Sequence, residues 1–302
     1  TSASGAEITV DQAASTVGTL ALAGANVAVT ENAATDLGAS TVSGTFGITS
    51  GGAITDSGTQ AITGAATFTN TAGTNDAITL DDASNAFSGT VTLSTDSGSA
   101  VTVVDTTALD LLALSAASLS VTAGGAVTDS GTLAITGATT ISASGQDITL
   151  DEAASTFGTL ALTGSNVAVT ENAAMDLGAS TIGGTANFNS TSNVITDSGT
   201  LAITGATTIN AGTADITLDQ AASTFGALAL TGANVAVTEN AATDLAASTV
   251  SGTLGITSAG AVTDSGTLAI TGATTISAGA QDITLDEAAS TFGALAQPRS
   301  EV

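Results

Sequence analysis

The chain has 302 residues, 43% of them hydrophobic but only 2% aromatic, and carries 27 Asp and Glu against one basic residue, Arg299, for a formal net charge of -26. Nucleic acid phosphates and anionic membrane surfaces are bound by Lys and Arg, so this balance excludes both as partners. A wide core is excluded too, because Ala, Val, Ile and Leu without Trp or Tyr fill only a thin one.

Disorder is the rival reading of so much charge, but acidic disordered chains are poor in apolar residues and the mean hydropathy here is +0.44. There is no Cys, so neither disulfides nor thiolate metal sites staple the fold, which is compatible with export. No apolar run reaches 18 residues; the best candidate, 108–121, is broken by Asp110 and several serines, which argues against membrane insertion. The first residues carry no Met, basic region or apolar signal and resemble the middle of a repeat, so a fragment or processed piece is expected.

From the N-terminus onward the chain repeats itself. The stretch EITVD around Ile8 returns at Ile78, Ile148, Ile216 and Ile283, at spacings of 70, 70, 68 and 67. A second marker, TDSG, ends at Gly58, Gly131, Gly199 and Gly266. Each long unit divides into three related segments, exemplified by those starting at Thr132, Thr159 and Thr253. Each has a Thr, an apolar-x-apolar strand, a Gly or Asn turn, a second such strand and a polar acceptor. Three segments per unit give about 22 to 23 residues each, the size of one solenoid coil, and about thirteen coils over 1–296.

Alternation in Leu160-Ala161-Leu162 and Val167-Ala168-Val169 is the period-two signature of strands, and no helical period lasts ten residues. The predicted fold is therefore all-β, a parallel β-solenoid whose coils stack because none can bury its apolar face alone. Two inward columns are expected. One runs through Leu20, Phe46, Val91, Leu119, Leu133, Leu160, Leu201, Leu228, Leu254 and Leu268. Its partner runs through Leu22, Ile48, Ile62, Leu93, Val121, Ile135, Leu162, Ile203, Leu230, Ile256 and Ile270. Extra residues at 70–76, at 94–100 and, by a single residue, at 187–193 predict surface bulges.

Two residues beyond the last inward apolar of each second strand stands an acceptor. In order these are Gln12, Glu31, Asp56, Asp82, Asp105, Asp129, Glu152, Glu171, Asp197, Gln220, Glu239, Asp264 and Glu287, with neighbouring acids at Asp11, Asp81, Asp151, Asp219 and Asp286. Stacked as one corner ladder at about 4.8 Å, adjacent charges repel by about 0.9 kcal/mol even in water. The favoured offset is backbone N–H donation at tight corners. The sharper alternative is weak Ca²⁺ binding between rungs, against which stands the lack of EF-hand spacing or a calcium-roll nonapeptide.

Without His, Cys or Lys the usual nucleophile–base pairs cannot be built. The carboxylate pairs Asp81-Asp82, Asp151-Glu152 and Asp286-Glu287 recur with the coil, have no aromatic platform or Arg nearby, and so do not read as an active site. No enzyme and no cofactor are expected. Phe87, Phe157, Phe225 and Phe292 recur once per unit, too far apart to stack on one another, and read as core filling at a wide corner. Threonine rows suited to ice are ruled down, since Thr-x-Thr is sporadic.

The stretches TLAITG, AVTDSG, NVAVTEN and DITLDEAASTFG resemble the repeats of bacterial filamentous-haemagglutinin-like and autotransporter-type exoproteins, over nearly the whole chain from Glu7 to Ala296. The resemblance implies a right-handed parallel β-helix, export across the outer membrane, and service as a stalk, adhesin or matrix fibre on or outside the cell. It carries no functional residue over. Expected partners are then a surface glycan or protein met by the bulges at 70–76 and 94–100, or further copies joined end to end or laterally. The last residues, 297–302, break the pattern with Pro298 and form a non-repeat tail.

Overall fold

In the computed structural model, the described residues are 5–11, 14–71, 76–95 and 98–296. The expected tail at 297–302, the rung at Gln12 and the middle of two expected bulges, 72–75 and 96–97, lie outside them. Among the described residues there is no helix, and every register pair between strands is parallel. The fold is the predicted all-β parallel solenoid, with about 14 turns. The chain divides into two units, Thr1–Gly158 and Thr159–Val302.

In the first unit, Ile8, Val27, Phe46, Ala66 and Val91 stack as successive rungs. Another stack runs through Ile54, Ile78, Val101 and Leu119. In the second unit Ile195, Ile216, Val235, Leu254 and Thr274 do the same. Burial alternates along the strands because successive side chains point to opposite faces: Val27 and Val29 are buried and Ala28 exposed, and Leu268 and Ile270 are buried with Ala269 exposed. Every residue of both predicted inward columns is buried.

Their arrangement differs from the expectation of three coils per long unit. Between Ile216 and Ile283 there are ten strand positions. They are Ile216–Leu218, a bridge at Thr224, Ala227–Gly232, Val235–Glu239, Thr243–Leu245, Ser248–Val250, Leu254–Ser258, Val262–Asp264, and the two ends of Leu268–Ser277. Most positions pair with the third one after them, as Ile216 with Val235, Thr243 with Val262, Ser248 with Leu268 and Val262 with Ile283, but the long strand Ala227–Gly232 pairs with both Thr243–Leu245 and Ser248–Val250. In the first unit seven rungs lead from Ile8 through Val27, Phe46, Ala66, Val91 and Leu111 to the strand of Asp129 and on to Ile148, two repeats later, so one repeat makes about three and a half coils. A coil therefore takes about 20 residues, as in the 19 from Ile8 to Val27 and the 20 from Leu254 to Thr274.

The missed strands explain the difference. Thr35–Leu37 and Ser40–Val42 turn Thr35 and Ser40 inward, and both are buried. A position with one apolar residue and one inward hydroxyl has too weak an alternation to separate from a turn.

The bulges follow from register. The strand ending at Asn70 pairs through Thr69 with Ser94, and the strand beginning at Ile78 pairs with Val101. The chain thus leaves and rejoins the same corner on successive coils around 70–76 and 94–100. At 187–193 the extra residue is taken up by Thr191 and Ser192, with φ of 49° and 77°, where the other repeats have Gly51-Gly52, Gly124-Gly125 or Ala259-Gly260. Asn193 N–H and its side-chain amide both donate to Ser190 O, at 3.2 and 2.9 Å, and hold this turn.

Phe87, Phe157 and Phe225 are buried as core filling, while Phe292 is half-buried. Phe87 also stacks, not on its equivalents but on Phe68, edge to face with ring centroids 5.9 Å apart, and Phe68 stacks on Phe46 at 5.8 Å.

Candidate functional site

The acids aligned by sequence do not form one corner ladder. Register places Glu31 on Ser50, Asp105 on Ala123, Asp129 on Leu111, Asp197 on Leu177, Glu239 on Ser258 and Asp264 on Leu245, while Asp56 faces Leu37. In these pairs no acid is the rung above or below another. The cause is the non-integral repeat: equivalent residues are about three and a half coils apart, about 17 Å along the axis at strand spacing. That exceeds the screening length of about 8 Å in physiological salt, so equivalent acids barely repel one another; the repulsion that remains is between neighbours, of Asp56 with Asp81, Asp129 with Asp151 and Asp197 with Asp219.

The acids fall into three groups by what they hold. Asp56, Asp129, Asp197 and Asp264 end the TD strands, and each accepts a backbone N–H from the next coil: Asp81, Asp151, Asp219 and Asp286, all at 2.8 Å. Asp197 and Asp264 reach a second N–H, of Gln220 and Glu287, at 3.4 Å. These donors lie at a corner turning out of the strand, where no ladder partner exists, so the carboxylate supplies the missing acceptor.

Glu31, Asp105 and Glu239 work downward instead. Glu239 accepts Phe225 N–H and Thr243 hydroxyl, both at 2.8 Å, and Glu31 accepts Val17 N–H and Thr35 hydroxyl in the equivalent place. Asp105 accepts Thr107 N–H at 2.9 Å and Phe87 N–H at 3.3 Å. Glu171 is fully buried at the matching position.

Asp82, Glu152 and Glu287 make up the third group. Asp82 is half-exposed and accepts Ser84 N–H at 2.9 Å, whereas Glu152 and Glu287 are exposed and use their backbone carbonyls to accept Ser155 and Ser290 N–H. Their neighbours Asp81, Asp151, Asp219 and Asp286 are exposed as well. Among the described residues no three acids converge as a metal site would require.

Burial raises the proton affinity of Asp56, Asp105, Asp129, Asp197 and Glu239 above the ordinary carboxylate range, and the N–H and hydroxyl donors partly offset it.

Sequence reasoning missed a second set of polar locks. Ser155 and Ser223 hydroxyls accept Leu133 and Leu201 N–H at 3.0 Å, and in the first repeat Asn85 accepts Gln60 N–H at 2.7 Å. Asn26, Asn166 and Asn234 side chains accept Thr45, Thr185 and Thr253 N–H at 2.9 to 3.1 Å. Asp36 bridges the coils below and above it, accepting Thr19 and Ser57 hydroxyls. The signal was present in the recurrence of Ser155 with Ser223, and of Asn26 with Asn166 and Asn234, at matching places, but only the coil phase tells which backbone group each one meets.

The pattern of a family described as repeats of unknown function (DUF5649) matches the chain four times, at residues 24–94, 98–163, 164–231 and 232–297. No curated protein and no solved structure matches it.

Proposed function

The chain belongs to the family of repeats of unknown function (DUF5649), and we propose from this and the fold that it is the structural repeat segment of a bacterial surface or secreted protein, a spacer or fibre section serving adhesion or the extracellular matrix. The observation that carries the reading is where the polar groups go. The acids aligned across repeats mostly hold the next coil's backbone or that of the coil before, as Asp197 holds Asp219 and Glu239 holds Phe225, so their work is spent on stacking. Repeat style, resembling haemagglutinin-like and autotransporter-type exoproteins, supports the extracellular placing. The reading includes no catalytic role and no resident cofactor.

The test is made in the parent protein on cells. Removing whole repeats should shorten the reach of adhesion while leaving ligand affinity unchanged. Loss of affinity on removing repeats would overturn the spacer reading.

A second reading is favoured by one observation: the excursions around 70–76 and 94–100 leave the same corner on adjacent coils. Under it they form a paired contact for a glycan or protein. Deleting 72–75 and 96–97 together should then abolish adhesion and leave the melting temperature in place, whereas unchanged adhesion returns the chain to the first reading.

A further inference from the structure

We infer that the repeat is an indexing element: each copy lengthens the solenoid by about three and a half coils and turns the next copy by about half a revolution, so copy number sets direction as well as length. Strand pairing alone fixes this phase. Ile8 and Ile78 begin successive repeats, yet Ile8 stacks under Val27, Phe46 and Ala66, while Ile78 stacks between Ile54 and Val101. Ala66 and Ile78 then belong to consecutive strand positions on either side of a corner.

The second unit repeats this independently. Ile216 stands in the stack of Val235, Leu254 and Thr274, whereas Ile283 stands on Val262. Two repeats restore the phase in the first unit: Val91 pairs with Leu111, Leu111 with Asp129, and Val127 of that strand with Ile148, so the strand of Ile148 is back in the stack of Ile8.

The remainder is enforced by chemistry. Asp129, Asp197 and Asp264 each meet the N–H of an acid that belongs to the following repeat, 22 positions on. Glu239 meets Phe225, 14 positions back. These offsets differ because each lock joins a different pair among the ten positions, and dropping one position would mismatch all of them. Whole repeats are therefore the only increments that keep every lock, and each brings its half turn.

Any outward feature carried once per repeat, such as the exposed Asp81 and Asp151 corners in the first unit or Asp219 and Asp286 in the second, is presented to alternate sides and not along one stripe. The use as a directional spacer rests on the spacer reading, but the rotation does not, and the experiment reads rotation only.

The chain has no Cys, so paired spin labels can be placed without background. Ala83→Cys with Ala153→Cys in the first unit, and Ala221→Cys with Ala288→Cys in the second, mark equivalent exposed sites one repeat apart. Thr55→Cys with Thr140→Cys is the reference, on one face through Thr79, Thr102 and Ser120, four rungs or about 19 Å apart.

A coil of about 20 residues places its opposite sides about 20 Å apart, so the equivalent pairs should read about 25 Å, longer than the reference although fewer rungs separate them. Equivalent pairs at about 17 Å, shorter than the reference, would overturn the inference. The reference distance itself reports that the labelled chains are folded.

Discussion

The backbone N–H of Asp219 donates to Asp197 Oδ1 across two successive coils at 2.8 Å, and the same lock joins Asp151 to Asp129 and Asp286 to Asp264. An acidic side chain is thus the acceptor that closes the corner above it. Where a chain has one basic residue in 302, backbone N–H groups take the place of Lys and Arg as partners of buried carboxylates.

Removing one such acceptor leaves a buried donor unpaired. Asp197→Ala should cost about 1–3 kcal/mol in urea unfolding, and Asp197→Asn clearly less, because the amide oxygen still accepts. Equal losses for the two would mean that charge, and not the hydrogen bond, is what the site requires.

Acid should strengthen the fold over part of its range. Asp56, Asp105, Asp129, Asp197 and Glu239 hold protons more tightly folded than unfolded, chiefly because they are buried. Between the unfolded and folded values the native state binds more protons, so stability falls as pH rises through that window and is fully present below the unfolded values near pH 4. The melting temperature is expected to climb as pH is lowered from 7 toward about 4, helped by relief of the -26 net charge. A melting temperature that drops steadily from pH 7 to 5 contradicts this.

Close backbone approach should separate two glycine substitutions. A Cβ on Gly205 would lie 2.4 Å from Gly184 O, and one on Gly226 would lie 2.2 Å from Gly205 O, so glycines stack where corners of adjacent coils touch. Gly205→Ala should destabilise by roughly 1–3 kcal/mol as backbones are forced apart. Gly47→Ala meets nothing nearer than Val27 O at 3.7 Å and should be neutral or stabilising by up to about 1 kcal/mol. Thermal unfolding of the two variants side by side decides it.

The array, its strands and its buried residues were legible in the sequence because they depend on local alternation. Leu160 and Leu162, Leu228 and Leu230, and Ile48 and Ile62 are all inward as read. A single strand's pattern suffices to say which side faces the core, since a one-residue slip would turn its whole apolar set outward. The number of strands per repeat was not legible, because positions such as Thr243–Leu245 and Ser248–Val250 bury a hydroxyl beside one apolar side chain and look like turns.

By itself, then, the sequence determined that coils must stack and which residues line their interior, since burial of Leu, Ile and Val is a property of each strand. Only the tertiary structure decided which coil each acid serves. That depends on how many residues close one turn, and closure is set by the corners, where glycine contacts, inward hydroxyls and carboxylate-to-backbone bonds act across about 20 residues. A repeat of about three and a half coils sets alike residues on alternate sides of the axis, and this separates equivalent acids that a straight reading of the repeat would have piled on one another.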